Sequence, residues 1–150
     1  MSIHSTARLV LLVVPLASLG CETNVNGPTI VAEDEIVGSY RATTLTALVA
    51  GSATDQLALG TRIEIELRPD MRTDGQLYAP EAGDDGKDVN QRLRGTWSFD
   101  PETQVVTFEH SAQTFLRDMT FHPQRSGKNV ELRAENSFGI MRIRAVLSQR

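Results

Sequence analysis

The sequence predicts an all-β protein, an antiparallel up-and-down meander of about eight strands that closes into a small barrel. From Ile36 onward, apolar residues recur mainly at every second position, which is the period of a strand and not of a helix. Short segments rich in Gly, Pro, Asn and Asp separate these stretches, as hairpin turns require. Each predicted strand is apolar on one face, and closure into a barrel buries that face and removes exposed edges. A β-sandwich is the alternative.

An export signal precedes the predicted domain. An apolar run, Leu9–Leu19, follows Arg8 and leads through Gly20 to Cys21, the only cysteine of the chain. This run is much shorter than the ~20 residues that a membrane-spanning helix needs. The arrangement resembles a bacterial lipoprotein signal, which implies removal of residues 1–20 and a diacylglycerol on the thiol of Cys21. Small residues before Cys21 also suit ordinary signal peptidase, which would release a soluble secreted protein.

Residues 21–35 are expected to form the lipidated cysteine and a flexible tether, and residues 36–150 the folded domain. The tether is polar, contains Gly27-Pro28 and ends in three consecutive acids, Glu33 to Glu35. We therefore expect an exported protein that is lipid-anchored in the bacterial cell envelope, at the outer membrane or the periplasmic face.

Alternation supports each strand in turn. The clearest case is Thr61–Arg68, in which Ile63, Ile65 and Leu67 face one side and charged residues face the other. The predicted strands are Ile36–Leu48, Thr61–Arg68, Gly75–Ala79, Arg92–Phe99, Gln104–His110, Phe115–Phe121, Asn129–Ala134 and Ile140–Ser148.

Turn chemistry joins most of these strands, and short links between sequential strands predict antiparallel neighbours. The turns are Pro69–Gly75, Asp100–Thr103, Ser111–Thr114, His122–Gly127 and Glu135–Gly139. The exception is Val49–Gly60, which is long enough for a lid-like loop or one helical turn. Its Leu57 and Leu59 are expected to cover an apolar opening or to pack on the rim of a closed core.

Two short motifs carry a family resemblance. Gly38-Ser-Tyr40 opens the first strand, and Gly95-Thr-Trp97 lies in the fourth. Together with the meander they resemble the lipocalin-like domains of exported bacterial lipoproteins, whose first strand carries Gly-x-Trp. The resemblance implies a lipocalin-like β-barrel over residues 36–150. Barrel packing alone also explains a glycine beside an aromatic ring where a strand bends.

An eight-stranded barrel is either filled by side chains or able to hold one small ligand. If a ligand binds, we expect the site to be lined by Tyr40, Leu57, Leu59, Trp97, Phe108 and Phe121. The predicted function is accordingly an envelope lipoprotein that binds a small apolar or amphipathic molecule. The alternative is a solid barrel that serves as a non-catalytic structural or protein-interaction module.

Other classes of function find little support in the sequence. The net charge of −4 disfavours nucleic-acid binding. The chain has no nucleophile elbow, so we expect no catalytic residue, and an enzyme is the third possibility. Asp84–Asn90 lacks the final glutamate of a calcium loop, and His110 with His122 offers too few ligands for zinc. We therefore expect no metal and no cofactor. Arg92, Arg94, Arg142 and Arg144 are interpreted as solvated charges with cross-strand partners, and contact with lipid phosphates or an acidic partner is the alternative.

Overall fold

Ten antiparallel strands form one curled sheet in the computed structural model, which describes residues 30–83, 85–110 and 112–150. The all-β antiparallel fold is thus confirmed. The strands are β1 (Gly38–Val49), β2 (Ser52–Asp55), β3 (Arg62–Leu67), β4 (Arg72–Ala79), β5 (Val89–Arg92), β6 (Gly95–Asp100), β7 (Val105–His110), β8 (His122–Ser126), β9 (Asn129–Phe138) and β10 (Met141–Gln149).

Eight of the strands follow the expected meander. Their order in the sheet is β7-β6-β4-β3-β1-β10-β9-β8, so the first strand pairs with the last, while β2 pairs with β1 and β5 with β4. The two ends of this path meet at a single bridge between Val106 and Phe121. Two backbone hydrogen bonds of 2.8 and 3.0 Å make the bridge. The sheet therefore curls almost into a barrel, with a narrow seam between β7 and β8.

The predicted sixth strand, Phe115–Phe121, is wrong. Residues Phe115–Asp118 form a 3-10 helix, and the strand begins only at His122, within a segment that we predicted as a turn. Leu116 and Met119 are buried beside the seam at 0% and 1% exposure. Side chains of this connection thus supply apolar packing where β7 and β8 share few backbone hydrogen bonds.

The folded region begins before Ile36, where we expect the domain to start. A short helix, α1 (Glu33–Ile36), precedes β1, and Val31 is 1% exposed within the core. The backbone N–H of Val31 donates to the Gln104 side chain, and Arg125 pairs with Glu35 at 2.5 Å. The last residues of the expected tether therefore pack on the domain.

The connection Val49–Gly60 is not a free loop. Its first half forms β2, which pairs with the end of β1 through a two-residue turn at Ala50 and Gly51. Both turn residues have positive φ, the conformation that matches the twist of a tight hairpin. The remaining turn is held by hydrogen bonds from Gln56 to Leu45 and from Thr61 to Gln56. The first half of the expected lid is thus an extension of the sheet.

Two glycines allow strands to cross closely where the sheet bends. A Cβ added at Gly75 would lie 2.7 Å from the Ile65 Cα on β3. One added at Gly95 would lie 2.6 Å from the His110 Cα on β7. Only a residue without a side chain fits these positions, so both glycines are requirements of the curled sheet.

Gly95→Ala is expected to lower the free energy of unfolding by about 1 to 3 kcal/mol, because the new methyl group must displace the backbone of β7. Chemical denaturation measures the change. Gly127→Asn is the control, since its Cβ meets nothing within 4 Å and asparagine tolerates the positive φ of that turn. Equal stability of Gly95→Ala and the native protein would contradict the close crossing.

Candidate functional site

Four of the expected ligand-binding residues lie in the core. Tyr40, Trp97, Phe108 and Phe121 are each exposed by 2% or less. Trp97 and Phe108 are cross-strand partners, and the rings of Phe108 and Phe121 lie 5.1 Å apart between centroids. The structure therefore brings three of these four aromatic residues together on the inner face of the sheet.

The polar atoms of the two amphipathic rings are satisfied internally. The Tyr40 hydroxyl donates to the carbonyl of Ile36 at 2.7 Å, and the Trp97 indole N–H donates to the carbonyl of Arg68 at 3.0 Å. Burial raises the pKa of the Tyr40 phenol above its ordinary value. Both side chains thus hydrogen-bond to the backbone of neighbouring segments, as buried Tyr and Trp residues usually do.

The two leucines expected at the opening differ in exposure. Leu57 is half-buried and packs against the core, whereas Leu59 is 60% exposed. The Asp55 carboxylate accepts hydrogen bonds from the backbone N–H groups of Leu57 and Ala58 and so fixes their turn. Ligand binding by either leucine stays a prediction. Cys21, the expected lipid-attachment residue, lies outside the described residues.

A groove lies on the outer face of the sheet. It has a volume of about 660 Å³ and lies across β1, β3, β4 and β5. Polar side chains dominate its lining, which consists of Ser39, Tyr40, Glu64, Ile65, Glu66, Asp74, Gly75, Gln76, Asn90, Arg92 and Arg150. We call this feature the outer groove.

Strand pairing explains how these polar residues meet. Ser39, Glu66 and Asp74 are successive partners across β1, β3 and β4, and Glu64 with Gln76 forms the next row. Because residues two apart on a strand share a face, the outward positions of adjacent strands form aligned rows. The outer groove thus presents carboxylates and amides on a sheet whose opposite face is the core.

Arginines balance the carboxylates of the outer groove. Asp74, whose side chain is 30% exposed, lies 3.7 Å from both Arg92 and Arg94. Glu64 pairs with Arg150 at 2.5 Å, and Glu66 pairs with Arg68 at 3.4 Å. These pairs are half-exposed, so each contributes little to the stability of the fold. Their members can therefore pair readily with charges of a binding partner.

The loop beside the outer groove is fastened by one aspartate. The Tyr78 hydroxyl donates to Asp88 Oδ2 at 2.7 Å, and the Glu81 backbone N–H donates to Asp88 Oδ1 at 3.1 Å. The hydrogen bond to Asp88 raises the pKa of Tyr78, and the same bond lowers the pKa of Asp88. This carboxylate, part of the segment considered as a calcium loop, is engaged by protein donors.

The histidines hold local structure. His110 is 6% exposed, and its Nδ1 donates to the carbonyl of Ala112 at 2.8 Å while its Nε2 contacts the Thr114 hydroxyl at 3.3 Å. His122 is exposed and contacts the carbonyl of Gln104. Among the described residues, no group of three or more His, Cys, Asp or Glu side chains is arranged to hold a metal ion.

Neither a scan against protein-family models nor a search of curated proteins finds a match to this chain. Within the described part of the chain, no helix has the length and apolar character needed to span a membrane.

Sequence reasoning missed the outer groove because its members are common surface residue types. Arg92 was interpreted as a solvated charge with a cross-strand partner, and its pairing with Asp74 agrees with that interpretation. Alternation indicated only that these residues face outward. The groove depends on the bend at Gly75 and on β5, and the residues of β5 (Val-Asn-Gln-Arg) have no apolar alternation that would predict a strand.

Tyr78→Phe is expected to raise the pKa of Asp88 towards that of an ordinary aspartate, because the variant removes the hydroxyl that stabilises the carboxylate. NMR titration of the side-chain carboxyl carbon measures the change. Asp100 is the internal control, since a hydrogen bond from Thr103 lowers its pKa and is untouched by the substitution. An unchanged Asp88 titration would contradict the contact.

The same hydrogen bond sets the direction of the pH dependence. Because the pKa of Asp88 is lowered by folding, its contribution to stability is present above the ordinary carboxyl pKa and is lost as the pH falls through the lowered value. Because the pKa of Tyr78 is raised, its contribution is present below the ordinary phenol pKa and is lost as the pH rises through the raised value.

Proposed function

We propose that this chain is a lipid-anchored protein of the bacterial cell envelope that works without catalysis as an interaction module. Its partner is a polar polypeptide segment that binds in the outer groove. The observation that carries the proposal is the contrast between the two faces of the sheet. Tyr40, Trp97, Phe108 and Phe121 on the inner face are exposed by 2% or less, whereas the cavity of about 660 Å³ lies on the outer face.

The contrast bears on the choice between the two functions expected from the sequence. A ligand site inside a barrel needs roughly 300 Å³ or more of open volume. Phe108 and Phe121 are in ring contact, and Leu116 and Met119 from the seam connection are buried in the same apolar cluster. These side chains use interior space that a ligand would need, which favours the interaction module over the small-molecule carrier.

The chemistry of the outer groove suits a polypeptide. Its rim offers carboxylates at Glu64 and Glu66, amides at Gln76 and Asn90, and the guanidinium of Arg92. A peptide backbone presents both N–H donors and C=O acceptors, so it can use all three kinds of group. The ion pairs of the groove are half-exposed, so their members can pair with charges of the partner instead. Such pairs fix the alignment of the partner in the groove more than they raise its affinity.

The anchor follows from the position of Cys21 behind its apolar run. Several acyl chains give stable membrane attachment, at ~0.8 kcal/mol for each buried methylene, whereas one short chain is marginal. The packed region is present from Val31 onward, so nine residues connect it to Cys21. A lipid at Cys21 therefore holds the domain close to the membrane surface.

Lipidation is tested by metabolic labelling with palmitate in a bacterium that processes lipoproteins. The native chain is expected to incorporate the label, and Cys21→Ser to lose it, because the thiol is the attachment point. Ser18→Ala is the matched control within the signal and is expected to keep the label. A native chain without label would contradict the anchor and leave the groove proposal standing.

Partner binding is tested by a photo-crosslinking amino acid placed at Gln76, in the centre of the outer groove. We expect a discrete polypeptide adduct in producing cells, and none from the same probe at Ser98, which is exposed on the outer side of β6. Arg92→Glu is expected to abolish the Gln76 adduct because it reverses a charge of the groove. Arg117→Glu, on the 3-10 helix, should leave the adduct unchanged.

An adduct that survives Arg92→Glu, or the absence of any adduct at Gln76, would count against the groove as the binding surface. The carrier function has its own readout. Uptake of an apolar fluorescent probe by the native protein, weakened by Leu57→Ser with Leu59→Ser at unchanged thermal stability, would favour a ligand site inside the barrel instead.

A further inference from the structure

Two hairpin ends lie side by side at one end of the sheet. The β1–β2 hairpin turns at Ala50 and Gly51, and the β9–β10 hairpin turns at Gly139 and Ile140. Val49 pairs with Met141, which joins the two hairpins directly before their turns. A hollow of about 260 Å³ lies between the turns. We call residues 47–53 and 137–142 the paired tips.

The paired tips are apolar where they meet solvent. Ile140 is 86% exposed and Val49 is 40% exposed, and Leu48, Phe138 and Met141 beside them are half-buried. Turns usually carry Gly, Asn, Asp or Ser, so an isoleucine in a hairpin turn is not required by the local fold. An exposed apolar cluster of this kind indicates a contact surface.

Charge is distributed unevenly around this surface. Residues 42–54 and 136–141 contain no charged side chain, whereas about a quarter of the whole chain is charged. Arg142, within the paired tips, is the charge nearest to the two turns along these strands, and Arg144, Glu135 and Asp55 follow two pairings further from the turns. Glu135 pairs with both arginines, at 3.5 Å from Arg142 and 2.8 Å from Arg144. The guanidinium of Arg142 is therefore nearer to the two turns than any carboxylate of these strands, on a protein with a net charge of −4.

The shape and size of the paired tips decide what they fit. A stable protein interface buries about 800 Å² on each partner. Two turns that project one isoleucine and one valine offer far less apolar area, and the surface projects from the end of the sheet. A fluid bilayer adapts to such a wedge, takes up its apolar side chains at the level of the headgroups and attracts the neighbouring arginines when its lipids are anionic.

We propose that the paired tips insert into the surface of an anionic phospholipid bilayer, with Ile140 and Val49 as the apolar wedge and Arg142 facing the headgroups. This contact is separate from the outer groove and does not require the lipid on Cys21. Where that lipid is present, the contact adds a second membrane attachment and orients the domain.

The orientation follows from chain length. Gln149 lies at the end of β10 that is far from the paired tips. Its side-chain amide donates to the carbonyls of Glu35 and Val37, so the start of the domain is at that end. The 12 residues of β1 extend about 40 Å from that end to the paired tips. The nine residues after Cys21 reach at most ~32 Å. Because this reach is shorter than the domain, both attachments to one bilayer require the long axis of the domain to be tilted away from the membrane normal.

Vesicle sedimentation tests the proposal with the chain from Glu22 onward, which lacks both the apolar run and the cysteine. The described core is contained within residues 31–147, so this chain carries all of it, and a thermal melt verifies folding. Binding is measured on phosphatidylcholine vesicles with and without about 30% phosphatidylglycerol. The native sequence is expected to sediment with the anionic vesicles.

Ile140→Asp is expected to lower the partition coefficient about tenfold or more, because it replaces the most exposed apolar side chain of the wedge by a charge. Ile30→Asp is the matched control, since it makes the same change at a residue that is 71% exposed at the other end of the domain. Its effect should stay within about twofold. Arg142→Gln should reduce binding about fivefold, and only on vesicles that contain phosphatidylglycerol.

Three outcomes of the vesicle experiment would each overturn the proposal. The native chain fails to bind anionic vesicles, Ile140→Asp binds as well as the native chain, or Ile30→Asp loses binding to the same extent. Sedimentation analysis without lipid tests whether the paired tips bind a second copy of the chain instead. A dimer that Ile140→Asp converts to monomer would make the paired tips a self-association surface and contradict insertion into lipid.

Discussion

The pairing of the first strand with the last is the contact on which the rest of the structure depends. Nine residue pairs connect β1 with β10, whereas the sheet ends at β7 and β8 share one bridge. The ladder turns a one-sided meander into a closed arrangement, so every apolar face points to one interior. It also moves the weak seam to the middle of the chain, where the connection after β7 supplies Leu116 and Met119 as packing.

The interior and the outer surface of the barrel differ in how their polar groups are satisfied. The buried aromatic residues satisfy their own polar atoms, as Tyr40 does with Ile36 and Trp97 with Arg68, and they leave no donor aimed at a ligand. Outward positions have the opposite character. Their ion pairs are half-exposed and of low energy, so the outer groove can rearrange its charges at small cost, which a binding surface needs and a core does not tolerate.

Sequence reasoning succeeds where burial is one-sided and local. Thr61–Arg68 is a strand because its alternation is uninterrupted, and Trp97 is buried as its position in the alternation predicts. The reasoning fails at Phe115–Phe121, where adjacent Phe115 and Leu116 break the alternation and the seam needs a compact turn. Val31 was missed because it packs with core residues that are distant in sequence, and its backbone N–H binds the equally distant Gln104. The outer groove and the paired tips arise from strand neighbours, which periodicity does not reveal.

One extra residue in β1 links the core to the paired tips. Ala42 pairs with Leu147 and Thr44 with Val146, so Thr43 is a bulge, and its hydroxyl lies 2.7 Å from that of Ser148. A bulge reverses which positions face inward. Without it, Leu45 and Val49 would turn to the outer face, and Thr44, Thr46 and Leu48 would turn to the core. The bulge therefore keeps apolar residues on the inward face of β1 along its whole length, from the core to Val49 in the paired tips.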